Sequence, residues 1–141
     1  MITRRDDVNP ASVTNLRARR AGPQFSVCVR GDPAGRWTVL EVEGEMDLQA
    51  FPLVPDLVDK AAPRMVFDLS RVSSMNAAGL GALVEAQRRA REAGGYVRLV
   101  APSPSARRVL RIRACERYFL TFDTVREAVS APIGADPLPA Y

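Results

Sequence analysis

The sequence predicts a single α/β domain built on a mixed, mostly parallel five-stranded sheet with about four helices, in the order ββαβαβαβα. Three observations carry this. Strand-like and helix-like apolar patterns alternate from about residue 24 to residue 130. Only the first two strand-like segments are joined by a turn short enough for a hairpin. Every later pair is separated by a helical pattern, the arrangement that gives right-handed crossovers between parallel strands.

Taken in order, Phe25, Val27 and Val29 share one face of a first strand and Ser26, Cys28 and Arg30 the other. Gly31-Asp32-Pro33-Ala34-Gly35 turns the chain, and Trp37 to Glu43 returns as the second strand. Leu53, Val54, Leu57 and Val58 then define one face of a helix, with Pro52 and Pro55 in or near its first turn. Met65 to Leu69 reads as a buried central strand. The segment 77–93 is the clearest helix: Leu80, Leu83, Val84, Ala86 and Ala90 form a stripe that Gln87 and Arg91 interrupt, which places the later turns nearer its edge. Gly94-Gly95 ends it. Tyr96 to Val100 is a fourth strand, Ser103 to Ile112 a third helix, and Phe119 to Phe122 a fifth strand. Thr124, with Glu127 three residues later, opens a last helix through a capping box.

The flanks differ from this body. Residues 1–23 and 131–141 carry Pro10, Pro23, Pro132, Pro137 and Pro139, lack a sustained apolar period, and read as tails. The chain has 20 basic and 16 acidic residues, but the first 23 positions alone hold Arg4, Arg5, Arg17, Arg19 and Arg20 against Asp6 and Asp7. The body is therefore close to neutral, which argues against a nucleic-acid-binding domain. Arg107, Arg108, Arg111, Arg113 and Arg117 spread around a helix and its exit, as a solvated face does. No signal peptide and no apolar stretch of the roughly 20 residues needed to span a bilayer is present, so a cytoplasmic protein without membrane contact is expected.

Histidine is absent from the sequence. That excludes imidazole general bases, Ser-His-Asp and Cys-His nucleophiles, and His-ligated zinc. Cys28 and Cys115 form no CxxC motif and are expected to be buried spectator thiols. Asp68 has no evident second carboxylate, metal set or nucleophile nearby and reads as a residue that satisfies local amides. Neither a metal, a cofactor nor an enzymatic activity is expected.

The segment Val72-Ser73-Ser74-Met75-Asn76-Ala77-Ala78-Gly79-Leu80-Gly81 joins the third strand to the second helix. Asn76 suits the N-cap, and small residues leave the first-turn amides open to an anion or to a close backbone. Tight packing of this turn against its own domain is the structural alternative. A dinucleotide-binding loop fits poorly, because Val84 stands where a third glycine belongs and no Walker lysine exists.

Gly44-Glu45-Met46-Asp47, Val66-Phe67-Asp68-Leu69-Ser70, Ser74-Met75-Asn76-Ala77-Ala78-Gly79-Leu80, Gly94-Gly95-Tyr96-Val97-Arg98-Leu99-Val100, and Arg108-Val109-Leu110 with Phe119 occur in this order. Together they resemble the STAS domain of bacterial anti-sigma factor antagonists over nearly all of residues 25–130. The resemblance implies a STAS-like α/β domain that binds an anti-sigma factor of the serine-kinase type and frees a sigma factor, as a monomer or weak homodimer. In that family the helix opens with Asp-Ser-Ser-Gly or a close variant, and phosphorylation of the first serine blocks binding. Asn76 and Ala77 match the aspartate and that serine, so the usual off-switch has no hydroxyl at 77. Ser73 and Ser74 are the nearby hydroxyls, Ser74 being the nearer substitute for modification, with turn hydrogen bonding as their alternative role. Asp47 matches the family's partner-facing aspartate, or caps the approach to the first helix. The expected docking surface is thus Asp47 with Ser73, Ser74, Met75, Asn76, Ala77, Ala78, Gly79 and Gly81. Two readings stay open: an antagonist held in the state that resembles the unphosphorylated one, or a divergent domain that binds a nucleotide or other small ligand at the helix start 76–81. Ala114-Cys115 replaces the family's glycine-leucine after the third helix.

Overall fold

The computed structural model describes residues 25–32, 35–48, 50, 54, 56–57, 64–113, 115–132, 134 and 136. The expected amino-terminal tail, 1–23, lies outside them. Five strands form one sheet: β1 (Phe25–Gly31), β2 (Thr38–Met46), β3 (Arg64–Met75), β4 (Tyr96–Val100) and β5 (Thr121–Phe122). Their spatial order follows their sequence order; β1 pairs with β2 antiparallel, and all other pairs are parallel. Three helices have full bounds: α1 (Ala77–Glu92), α2 (Pro104–Ile112) and α3 (Val125–Ser130). Where a first helix was expected, Ala50, Val54, Asp56 and Leu57 have helical backbone, and the intervening positions lie outside the described residues. Ala50, Val54 and Leu57 are buried at i, i+4 and i+7, one face of a helical turn pattern.

The larger core lies on one face of the sheet. Phe25, Val27, Val42, Met65, Phe67, Val97 and Leu99 meet Leu80, Leu83, Ala86 and Ala90 of α1, and Ala106 and Leu110 of α2. A smaller core on the other face joins Trp37, Val39, Val66 and Val100 to Ala128 of α3. Half of the expected capping box is present at α3: Thr124 Oγ1 accepts from Glu127 N at 3.1 Å. Glu127 Oε1 reaches back to Asp123 N at 3.3 Å, one residue before the cap.

Two strands run further than their sequence pattern suggests. β3 was expected to end at Leu69 but continues to Met75, with two register irregularities against β2. Glu41 and Glu43 face Asp68 and Arg71, and Gly44 and Glu45 face Val72 and Ser74. In each interval β3 therefore carries one residue more than β2, Ser73 being the second. Each extra residue adds an exposed position, so Ser70 and Arg71, then Ser73 and Ser74, lie exposed between buried Leu69, Val72 and Met75. A strand with this three-residue rhythm loses its alternation signature and reads as a polar turn. The turn role expected for Ser73 and Ser74 is corrected accordingly: both belong to a bulged strand. β2 extends likewise through the Gly44-Glu45-Met46 motif, with Gly44 at φ 103°, a conformation glycine adopts without steric cost.

Gln87 also departs from expectation. It does not mark the edge of the α1 stripe but is buried. β5 covers only Leu99 and Val100 on its side of β4. Beyond it, Gln87 takes the place of a strand: Oε1 accepts from Val97 N at 2.8 Å, while Nε2 donates to Val97 O at 3.4 Å and Tyr118 O at 2.7 Å. A buried amide whose groups are all paired costs little, and here it fixes α1 to the sheet.

Beyond the expected domain boundary at 130, Asp136 is buried within the fold. Arg98, on the α3 side of β4, is fully buried and makes a bidentate pair with it: Nε to Oδ2 at 2.9 Å and NH2 to Oδ1 at 2.7 Å. Its NH1 donates to Ala128 O at 2.6 Å and Ala131 O at 3.2 Å, and NH2 to Pro132 O at 2.8 Å. The guanidinium thus satisfies carbonyls at the end of α3, where a cation is favoured, and stacks 4.3 Å from the Trp37 ring. The expected buried thiols are half-buried instead, and neither forms a disulfide. Cys28 stands on the polar face of β1, and Cys115 follows α2, where burial pushes its thiol above the ordinary value despite Arg113 nearby.

Candidate functional site

The ends of β2 and β3 lie side by side, with Met46 opposite Met75. This register brings Asp47 to the start of α1, 30 residues later in the sequence. Asn76 N donates to Met46 O at 3.3 Å, and Met75 N donates to Ser105 Oγ of α2 at 3.2 Å. Asn76 is the N-cap: its extended backbone leads into the helix, and Oδ1 accepts from Gly79 N at 3.0 Å.

Gly79 explains why small residues cluster here. A Cβ at this position would stand 2.0 Å from Met46 O and 2.6 Å from Met46 C. What comes close to the helix start is therefore the chain's own backbone. With Gly79 N capped by Asn76 and Gly81 inside the helix, Ala77 and Ala78 supply the first-turn amides that remain for a ligand. That is a poorer phosphate cradle than the sequence suggests.

The nine residues of the expected docking surface divide into two groups. Ser73, Ser74, Asn76 and Ala77 are exposed, and Asp47, Ala78 and Gly81 are partly exposed. The register of β2 and β3 brings Asp47, Ser73 and Ser74 beside the helix start that carries Asn76, Ala77, Ala78 and Gly81. Met75 and Gly79 are buried; Met75 is part of the core. Their contribution is support for the segment, not contact with anything outside it. Backbone turns hold the other side: Ala50 N donates to Asp47 O at 2.9 Å. Asp68 behaves as expected, accepting Ser70 N at 3.0 Å. Among the described residues no group of three His, Cys, Asp or Glu could hold a metal ion.

Two apolar features were not evident from the sequence. Leu48, beside Asp47, is 69% exposed, and Ile112, the last residue of α2, is 67% exposed. They are the large hydrophobic residues left in solvent among those described. A groove of about 400 Å³ adjoins the docking edge, lined by Ala77, Leu80, Gly81 and Val84 on α1 and by Arg113 and Cys115 after α2. The signal for Leu48 existed, since it is an apolar residue directly after the Gly-Glu-Met-Asp motif. Nothing local distinguishes Ile112 from a core-facing residue, because its exposure depends on how α2 is rolled against β3.

On the outward side of α1, Glu85 receives Arg88 in a bidentate pair at 2.9 and 2.6 Å, and Arg89 Nε at 3.1 Å. These contacts, Arg88 first, lower its carboxyl to a pKa of about 2. Arg88 also reaches Glu92 at 2.6 Å. No helix among the described residues is long and apolar enough to cross a membrane.

The STAS domain family model matches residues 29–128 of this chain. No curated protein gives a significant match. Among solved structures, an anti-sigma factor antagonist from Mycobacterium paratuberculosis is similar at a TM-score of 0.66 and 23% identity, covering 78% of this chain and 96% of its own. The unphosphorylated form of the Bacillus anti-sigma factor antagonist SpoIIAA superimposes at a TM-score of 0.60, with 22% identity over 74% of this chain and 92% of its own. An anti-sigma-factor antagonist (STAS) domain protein from Planctomyces limnophilus gives 0.62, with 20% identity over 74% and 96%. These likenesses establish the shared fold, and together with the match over 29–128 they place the chain in the STAS domain family.

Proposed function

We propose that this STAS domain is a non-enzymatic docking module of the cytoplasm: an anti-sigma factor antagonist that binds a serine-kinase-type anti-sigma factor and so releases a sigma factor. The supporting observation is the pairing of Met46 with Met75, which gathers Asp47, Ser73, Ser74, Asn76, Ala77 and Ala78 at one accessible edge of the STAS fold. Asn76 retains the cap without the carboxylate charge, and Ala77 presents a methyl group where the family's phosphorylated serine stands. A phosphate would bring about −1.5 to −2 charges to this edge, so a chain lacking the acceptor stays in the binding-competent state. Ser73 and Ser74 are exposed hydroxyls on the same edge and are the alternative acceptors. The module acts as a monomer or weak homodimer.

Titration calorimetry of the chain against each kinase-type anti-sigma factor of its source organism, with and without ATP or ADP, tests this reading. Saturable one-to-one binding is expected; absence of heat with every candidate rejects it. Incubation with the binding partner and ATP should leave the mass unchanged, whereas Ala77→Ser should gain about 80 Da, one phosphate group. Phosphate on the unaltered chain at Ser73 or Ser74 would contradict the permanently competent state.

A further inference from the structure

The smaller core covers only part of its face of the sheet, which three rows of side chains cross. Arg30, Val39, Val66 and Arg98 make the first row, where Val39 and Val66 pack with Ala128 of α3 and Arg98 is closed over by Asp136. Cys28, Glu41 and Asp68 make the second, and Ser26, Glu43 and Arg71 the third. None of these six residues belongs to either core. With Ser70 they line a groove of about 440 Å³. Glu43, Ser70 and Arg71 are exposed there, and Ser26, Glu41 and Asp68 are partly exposed.

The groove carries a charge imbalance. Glu41, Glu43 and Asp68 stand in it against Arg71. Arg30 pairs with Glu41 at 2.5 Å, and Asp68 accepts Ser70 N at 3.0 Å. Among the described residues neither Glu43 nor Asp68 forms an ion pair, although Arg71 is the register partner of Glu43. The sequence holds the complement directly upstream. From Val8 to Gln24 there are the cations Arg17, Arg19 and Arg20 and no acidic residue.

We propose that the basic stretch Arg17-Ala18-Arg19-Arg20 of this same chain folds back across the open part of the face and pairs with Glu43 and Asp68. Connectivity favours this occupant over a separate partner. Arg20 precedes Ser26 by six positions and Arg17 by nine, and Ser26 already lines the groove beside Glu43. At about 3.3 Å per residue those links span up to roughly 20 and 30 Å. Glu43 is one strand from β1 and Asp68 two, or about 5 and 10 Å. A tether this short also sets an effective concentration of about millimolar, so ion pairs too weak to hold a free peptide hold this one.

The experiment uses the full chain. R17K/R19K/R20K keeps the charge and supplies amines, which a carbodiimide joins to carboxylates only where the two are in contact. Cross-links from positions 17–20 to Glu43 or Asp68 are expected, with a yield that falls about fivefold between about 25 and 500 mM salt. Mixed nitrogen-14 and nitrogen-15 forms show whether each link lies within one chain. In amide spectra, R17E/R19E/R20E should shift Ser70 and Arg71, which are remote in sequence, while the rest of the sheet, and hence the fold, stays unchanged. The same three substitutions should leave Ser70 and Arg71 unmoved in E43Q/D68N, where an amide at 68 still offers an oxygen to Ser70 N. The inference is overturned if the lysines link no more to Glu43 and Asp68 than to Asp47 or Glu92, if the links join different copies of the chain, if the amide shifts end at Ser26, or if those at Ser70 and Arg71 persist in E43Q/D68N. No arm uses a protein partner, so each result leaves the proposed function where it stands.

Discussion

Gly79→Ala puts two physical arguments in direct opposition. Gly79 lies in the first turn of α1, and alanine is the better helix former by about 1 kcal/mol, so propensity alone predicts stabilisation. The structure predicts the reverse. The new Cβ would stand 2.0 Å from Met46 O, a backbone atom that cannot rotate away. To reach ordinary packing distance, the helix start and the end of β2 must part by more than about 1 Å. Overpacking of this kind costs about 1–3 kcal/mol. The separation also breaks the 3.3 Å bond from Asn76 N to Met46 O, worth about 1 kcal/mol more. After the propensity gain, a net loss of about 2 kcal/mol remains. Urea unfolding of both forms at 25 °C, followed by circular dichroism and Trp37 fluorescence, measures it as a lower midpoint at unchanged slope. A variant as stable as the parent, or more stable, would show that α1 does not press on β2 and would remove the reason given for the small residues at this site. The docking edge should suffer as well, because Asp47 follows Met46 directly.

Other perturbations test other parts of the structure. Asp136→Ala should cost about 3–5 kcal/mol by leaving the buried Arg98 cation unpaired, and the double variant R98M/D136L should recover part of that loss in the same unfolding assay. Gln87→Leu should cost about 2 kcal/mol, since Val97 N and O lose their partners without access to water; faster hydrogen exchange at Val97 would identify the cause. Glu85 has a folded pKa lowered from 4.5 to about 2, so its contribution is complete above about pH 4.5 and is lost as pH falls toward 2. Solvent at this partly exposed site limits that contribution to about 1 kcal/mol, and Glu85→Gln should flatten the acid limb of the stability curve by that amount.

Most of the architecture could be read from residue patterns. The hairpin, the crossover order, the α1 stripe and the Thr124 cap all follow from local rules, because each involves residues within a few positions of one another. The misreadings have a common cause. Ser70 to Ser74 form strand only because bulges let β3 keep pairing with β2, and a broken alternation carries no sign of its partner. Gln87 and Asp136 are polar residues in places where polarity suggests surface. Each is buried because its partner, Val97 or Arg98, arrives from another element. At the site, the residues that form the edge were legible from their order and spacing. The inward positions of Met75 and Gly79, and the exposure of Ile112, are not local properties, since they depend on how the helices seat on the sheet.

The link from Arg98 to Asp136 also sets a schedule. Their separation is 38 positions, so the smaller core must wait for a residue made long after the strand it completes. At roughly 5–20 residues per second, synthesis leaves that guanidinium without its carboxylate for about 2–8 s. The contacts of β3, β4 and α1 with one another lie within residues 64–100, whereas Ala106, Leu110 and Phe119 of the larger core follow later in the chain. The face of the sheet that carries the smaller core is thus the last to have all its partners present along the chain.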